Sequence, residues 1–381
     1  MKSANIKYLP EVDHLRAVAA VLIVLFHGFE LFLAKIAYHA DQNVSQWVHT
    51  RNPLLAVIVE GHTAVALFMV LSGFIFMYGT YGKQEFSAKR FLVNRVLRIY
   101  PMFTVVVFAG IAVYPADFSF SGLLQTFLLF ANLPGTLLLH EYSNVLGTLS
   151  IEFQFYLIFP FLIIFMRRRG AVFLAQLIVL AIVFRFLAVG AGADAHALSY
   201  SYINGRIDQF LLGMMAAIAL RSGVLSQARC RILVAPAAIL AVVVLYVFHR
   251  LGGFPLEVWW KILWPTVEGA TWAAFIACYV GAEIALPKIV SKALCWIGER
   301  SFSIYLLHFV LLVALIKNGL LMVVGSPIAS SLLNTAILLL PATLVLSSLT
   351  YSLIEEPFLN LRKRYMQPSS DRATNVTQKV A

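Results

Sequence analysis

Charge is scarce in this chain. Only 12% of its 381 residues are charged, roughly half the quarter that soluble proteins carry. Meanwhile 61% are hydrophobic and the mean hydropathy is +0.84. Such a chain in water would expose large apolar patches, which excludes a water-soluble enzyme. Cysteine is scarce too. Cys230, Cys278 and Cys295 lie far apart, a pattern that fits neither a disulfide scaffold nor a zinc or iron-sulfur cluster. The sequence also lacks a glycine-rich phosphate loop and a histidine pair at metal-ligand spacing, so no metal is expected. Acidic residues number 18 against 29 basic ones, a net charge of +11. Nucleic acid is one partner such a charge suggests, and the placement of the basic residues decides the matter.

A bilayer core takes ~20 apolar residues per helix. Runs of that kind fall near 14–34, 62–81, 99–115, 145–166, 171–190, 205–221, 232–249, 263–286, 302–324 and 331–355. These predict an all-α polytopic membrane protein of about ten transmembrane helices. The segment 119–137 carries Ser119, Ser121, Gln125, Asn132, Pro134 and Gly135, and is expected to be re-entrant or interfacial.

Basic residues cluster at Lys83/Lys89/Arg90/Arg95/Arg98, Arg167 to Arg169, Arg221/Arg229/Arg231, Lys288/Lys292/Arg300 and Arg362 to Arg364. With Lys2, Lys7, Arg16, Arg372 and Lys379 they make up 22 of the 29. Ten crossings put all of them on one side, and a single crossing by 119–137 would invert the later clusters. The positive-inside rule then places both termini in the cytoplasm of a plasma (inner) membrane protein. Topology and contact with membrane lipids account for the net charge, and nucleic acid is not needed. Glu11, Asp13 and Arg16 precede the first run, which has no small-residue cleavage site, so it is expected to stay in the protein. Residues 1–365 form the membrane domain, and 366–381 is a polar tail expected to be disordered and cytoplasmic. No internal repeat is visible.

Ionisable groups at membrane depth are functional candidates by default. Arg16 opens the first span and His27 lies eleven residues on, ~16 Å deeper and on nearly the same helix face. A packed core histidine is the competing reading for His27. Glu152 sits fifteen residues before Arg167, ~22 Å from that basic end. It is expected to meet His27 from an opposite helix, orienting the imidazole or holding a substrate hydroxyl; a structural ion pair is the alternative. Arg95 and Arg98 share a helix face suited to a bidentate phosphate clamp, or to lipid headgroups. His308 lies two turns into its span, as a second base, a ligand contact or a packing residue. Glu355, Glu356 and Tyr351 are expected to bridge to nearby basic loops. Glu60, His62, Asp208 and Glu268 read as solvated outer helix ends or the rim of an acceptor entrance.

Several segments together resemble the integral-membrane acyltransferase-3 family. Tyr8-Leu-Pro-Glu11-Val-Asp13-His-Leu-Arg16 leading to His27 resembles its opening signature of an arginine and, after ten intervening residues, a histidine. Leu67-Phe-Met-Val-Leu-Ser72-Gly73-Phe and Arg95-Val-Leu-Arg98-Ile-Tyr100-Pro101 are similar to further elements. So are Leu149-Ser150-Ile-Glu152-Phe-Gln-Phe-Tyr156, Ser301-Phe-Ser-Ile-Tyr305-Leu-Leu-His308 and Tyr351-Ser-Leu-Ile-Glu355-Glu356-Pro357-Phe. Gly147 and Thr148 stand where the family usually has Trp and Ser.

The resemblance implies transfer of an acyl group, most often acetyl, from cytoplasmic acyl-CoA to a hydroxyl of a glycan or lipid-linked glycan. It implies His27 and Glu152 as catalytic residues and Arg16, Arg95, Arg98 and Tyr100 as donor-binding residues. Asp13, Ser150, Tyr156, Tyr305, His308 and Glu355 are secondary candidates. A stand-alone form without an appended extracytoplasmic domain is expected. The rival class is a transporter or flippase of a glycan or lipid intermediate, with His27, Glu152 and His308 as a proton relay.

Overall fold

The computed structural model of the protein describes residues 8–40, 47–83 and 85–367. The proposed tail from 366 lies almost wholly outside them. The chain is helical, with one short antiparallel pairing of Glu85–Phe86 on Met366–Gln367. In chain order the helices are α1 (Pro10–Tyr38), α2 (Pro53–Val59), α3 (Ala64–Thr80), α4 (Ala88–Val113), α5 (Phe120–Phe127) and α6 (Leu146–Arg169). Next come α7 (Val172–Gly190), α8 (Ala195–Ser201), α9 (Ile203–Arg221), α10 (Gln227–Arg250) and α11 (Trp264–Ala282). The chain finishes with α12 (Lys288–Glu299), α13 (Ser301–Lys317), α14 (Pro327–Asn334), α15 (Leu340–Thr350) and α16 (Glu356–Asn360). The last three are joined through wide π-helical turns at Thr335–Leu339 and Tyr351–Glu355 into one span.

Local chemistry sets the boundaries. Pro10 sits in the first turn of α1, where its missing N–H costs nothing. Ser87, Ser226 and Ser326 accept from the backbone N–H three residues on, capping α4, α10 and α14. Gly170, at φ 74°, ends α6 in a conformation that favours glycine.

Seven helices among the described residues are long and apolar enough to cross a membrane, and an eighth if α12 and α13, bent by 69°, count as one. The expected ten is therefore not reached by that measure. The two that fall short, α9 and α11, occupy two of the expected spans. They carry Arg206, Asp208, Gln209 and Glu268, all buried against neighbouring helices. A helix screened from lipid can hold polar groups that a lipid-facing one cannot. The 119–137 segment holds only α5, eight residues and thus ~12 Å long. It is too short to cross.

Helices α1 and α3 are the interior of the bundle, with 72% and 78% of their apolar windows buried, against 22% for α7. Helix α1 packs on α3, α12, α13 and α14, while α3 packs on α9. Gly73 and Gly213 permit that second contact, since a Cβ at either would overlap a backbone carbonyl of the facing helix.

The basic clusters gather at one end. Arg167 donates to the Lys83 carbonyl at 2.6 Å, Arg221 stacks on Tyr78, Arg300 on Tyr351, and Arg90 reaches the Arg364 carbonyl. At the opposite end, the expected solvated termini are not solvated. Glu60, His62, Asp208 and Glu268 are all buried. Residues 47–52 and the α10–α11 connection cover that end: the His249 ring takes the Thr50 N–H, and Glu60 takes the Phe254 N–H.

Candidate active site

A chain of three cavities runs along α1. The first, at the basic end, is lined by Asp13, Arg16, Arg95, Arg98, Arg362 and Tyr365, among others. It shares Arg16, Ile75, Phe76, Arg95 and Arg98 with a middle cavity of about 850 Å³, which adds Ser72, Thr148, Glu152, Tyr156 and Tyr305. Val65, Thr148 and Tyr305 then also line a third cavity, which holds His27, Glu30, His62, Tyr200 and Arg206. Thr148 thus sits at the junction.

His27 does not meet Glu152. Its Nδ1 lies 2.9 Å from Nε2 of His308, with the rings stacked 5.1 Å apart. His308 Nδ1 lies 3.0 Å from the Ile304 carbonyl, which can only accept. That contact puts the His308 proton on Nδ1 and leaves Nε2 as an acceptor. His27 must then donate from Nδ1, and its own Nε2 keeps a lone pair. His308 is fully buried and His27 partly open. The sequence spacing does not say which helices adjoin: it is α13 that packs closely on α1 beside His27.

Glu152 instead accepts from Ser72 at 2.8 Å and, in a very short hydrogen bond, from Tyr156. It faces the middle cavity between the arginines and the junction.

The arginines differ in how they are held. Arg16 pairs with Asp13 at 2.9 Å and Arg98 with Glu355 at 3.3 Å. The π-helical turn Tyr351–Glu355 presents Glu355, as wide turns often do at functional sites, and Ser303 also donates to it. Arg95 lies over the rings of Phe76, Phe91 and Tyr156, and its Nε is buried without a hydrogen-bond partner among the described residues. Arg362 was not singled out in the sequence beyond its basic cluster. It enters the mouth because Asn94 grips the Lys363 backbone at both its carbonyl (2.7 Å) and its N–H (3.0 Å). Burial, then the guanidinium groups of Arg98, Arg95 and Arg16, push Arg362 down to about 10. So dense a cluster of cations is a ready site for a polyanion.

Two candidates stand apart from the cavities. Tyr100 donates to the Phe127 carbonyl at 2.6 Å, anchoring α5. Ser150 is fully buried, taking the Ala131 N–H and donating to Leu146. Both hold the short segment in place.

Sequence reasoning also missed the Arg185–Asp208 pair, 2.7 Å apart with both side chains fully buried. The signal was present: Arg185 interrupts the apolar run of α7, and an arginine there needs a carboxylate. Asp208 is that carboxylate, with Thr266 bound to the pair.

The family model Acyl_transf_3, described as an acyltransferase domain, matches residues 9–352. The chain belongs to the acyltransferase-3 family. Among its relatives, Acyltransferase MdmB of Streptomyces mycarofaciens is 24% identical, over 98% of this chain and 97% of that protein. Peptidoglycan O-acetyltransferase OatA of Listeria monocytogenes is 26% identical over 92% of this chain, and putative peptidoglycan O-acetyltransferase YrhL of Bacillus subtilis 25% over 93%. The chain spans 56% of the length of each of those two proteins. No solved structure matches. Membership in a family of membrane acyltransferases favours acyl transfer over the transport reading.

Proposed function

We propose that this acyltransferase moves an acyl group, acetyl in the first instance, from acyl-CoA to a hydroxyl of a glycan acceptor, with His27 as general base. One observation carries the reading. His27, whose Nε2 this tautomer leaves unprotonated, lines a cavity that adjoins, through Val65, Thr148 and Tyr305, the arginine-lined cavities at the basic end.

Arg16, Arg95, Arg98 and Arg362 would hold the phosphates of coenzyme A at that end, the inner face in this reading. Arg95 has the strongest case because its buried Nε–H, unmatched among the described residues, needs an acceptor. The pantetheine arm would follow the middle cavity toward Tyr305. His27 Nε2 removes the proton of the acceptor hydroxyl as its oxygen attacks the thioester carbonyl carbon. The carbon–sulfur bond breaks, the His27 proton passes to the departing thiolate, and an ester and free coenzyme A result. His308 keeps the His27 lone pair on Nε2. Glu152, tied to Ser72 and Tyr156, fixes the wall past which the thioester must travel.

The test is His27→Ala in membranes supplied with labelled acetyl-CoA, expression matched. Loss of label transfer by about a hundredfold or more is expected for removal of a general base. Transfer at the wild-type rate would remove His27 from the mechanism.

A further inference from the structure

Arg206 is a buried cation with no ion pair among the described residues. It is 5% exposed, belongs to α9 and lines the third cavity together with His27. Helix α8 fixes its position. Gly205 lets the two helices meet, since a Cβ there would overlap the Leu198 carbonyl. At that contact the Tyr200 carbonyl accepts from Arg206 Nε at 2.9 Å, and the guanidinium lies over the Tyr200 ring, 5.0 Å from its centre. The far end of the side chain is held loosely. Nη1 stands 3.5 Å from Gln209 Oε1 and 3.9 Å from Met69 Sδ, both long for a hydrogen bond, and Nη2 has no acceptor among the described residues.

Carboxylates are near and do not pair with it. Asp208, two residues on, is taken by Arg185 at 2.7 Å. Glu268 accepts from Gln209 at 3.0 Å and attracts the guanidinium only from a distance, which offsets its charge without occupying its N–H groups. Glu30, the cavity's own carboxylate, has no hydrogen bond or ion pair among the described residues. An arginine at membrane depth ordinarily meets a carboxylate directly, as Arg185 does. One clamped by Nε, with its Nη groups left over, is a donor kept for something that enters the cavity.

The place narrows what that is. Arg206 is the only arginine or lysine among the residues lining the third cavity. Met69, which Nη1 approaches, lines the middle cavity, and Tyr305, which lines both, lies within electrostatic reach. The guanidinium therefore stands beside the junction on the α9 side, with His27 on the α1 side. There the acceptor hydroxyl would attack the thioester, and the neutral carbonyl oxygen would become an oxyanion. Donors oriented in advance toward such a charge usually supply the largest single share of catalysis.

We propose that Arg206 is a catalytic residue that binds this oxyanion through its Nη groups. As the acceptor oxygen bonds to the carbonyl carbon, the π electron pair of the C=O bond moves onto oxygen, and the Arg206 N–H groups donate to it. The pair returns as the carbon–sulfur bond breaks, and His27 carries the proton as described above. Arg206 itself gains and loses no proton. The inference rests on the acyl-transfer reading and adds to it a stabiliser of the charge that His27, as a base, does not hold.

The experiment follows label from acetyl-CoA with the full chain in detergent, an extract of its native membranes serving as acceptor in increasing amounts. The acetyl-CoA Kd is measured on the same preparations. Arg206→Met should lower kcat about a hundred- to a thousandfold, as loss of an oxyanion donor does. Its acetyl-CoA Kd should stay within about twofold, because Arg206 lines neither of the arginine-rich cavities; that affinity also shows the variant to be folded. Arg206→Lys, which keeps the charge and loses the planar fork, should regain about tenfold or more of the lost turnover.

Wild-type kcat in Arg206→Met, a lysine variant no better than the methionine one, or donor affinity falling in step with turnover would each overturn the proposal. So would a loss that excess extract restores, because Arg206 would then hold a fixed charge on the acceptor. Absence of label transfer by the wild type would overturn the acyl-transfer reading itself, whereas transfer by the wild type and by Arg206→Met alike removes Arg206 alone.

Discussion

The His27–His308 contact makes a graded kinetic prediction. His308→Ala removes the acceptor that holds the His27 proton on Nδ1. The stabilisation at stake is that of one buried hydrogen bond, about 1 to 3 kcal/mol. At 1.36 kcal/mol per tenfold this corresponds to a factor of roughly 5 to 150 in the population of the productive tautomer. The turnover number should fall by that factor, less than for His27→Ala, while the Kd for acetyl-CoA stays unchanged. His308→Gln should recover part of the loss, because its side-chain carbonyl can accept from Nδ1 where alanine cannot. The assay is label transfer from acetyl-CoA in matched membranes, with acetyl-CoA binding measured in parallel. Wild-type turnover in His308→Ala, or a loss that Gln leaves untouched, would refute the tautomer argument.

Three other outcomes follow from the packing. Arg362→Ala should weaken acetyl-CoA binding by about ten- to a hundredfold, the worth of a charge-assisted hydrogen bond, and flatten its salt dependence; isothermal titration at two ionic strengths reads both. Asp208→Ala strands the fully buried Arg185 and should cost about 3 to 5 kcal/mol of stability, seen as a large drop in melting temperature or in yield. Lys261 donates to the Phe254 carbonyl at 2.5 Å, and burial, partly countered by Glu60, pushes it down to about 8. Between that value and its unfolded pKa of about 10.5 the unfolded chain binds more protons. Stability should therefore rise with pH across that window. Melting curves of the wild type should show the rise and Lys261→Met should lack it; equal slopes would refute the assignment.

Much of the fold was legible because lipid imposes a simple rule on sequence, a run of about twenty apolar residues per crossing. That rule located a helix in every expected span. Helices α9 and α11 fall short of the measure of length and hydropathy, and both carry polar residues, Arg206, Asp208 and Glu268, that neighbouring helices bury. An expected depth along each helix was legible as well, since the helix rise converts residue number into distance. Adjacency was not. His27 and Glu152 were expected at comparable depths, yet which helices touch depends on the whole bundle, and α13 took the place beside α1 that α6 was expected to fill. Glu60 and His62 were read as solvated for a related reason: residues 47–52 and the α10–α11 connection fold back over them, and loops carry no periodicity to announce it.

The distinction that matters most for function is whether a buried polar group is already matched. Arg185 and Arg95 are both arginines on long, largely apolar helices. In the fold the Nε of each lacks a hydrogen bond among the described residues, but the terminal nitrogens of Arg185 are bound by Asp208, Thr266 and the Gly205 carbonyl, while Arg95 rests on aromatic rings. Arg185 is thereby committed to holding helices together. Arg95 remains available to an anion. Glu60, bound by His249, Trp47 and Phe254, stands to Glu30 in the same relation. In the proposed reading Arg95 stands at the donor end of the cavities, and His27 lines the cavity beyond the junction at Val65, Thr148 and Tyr305, where the two substrates would meet.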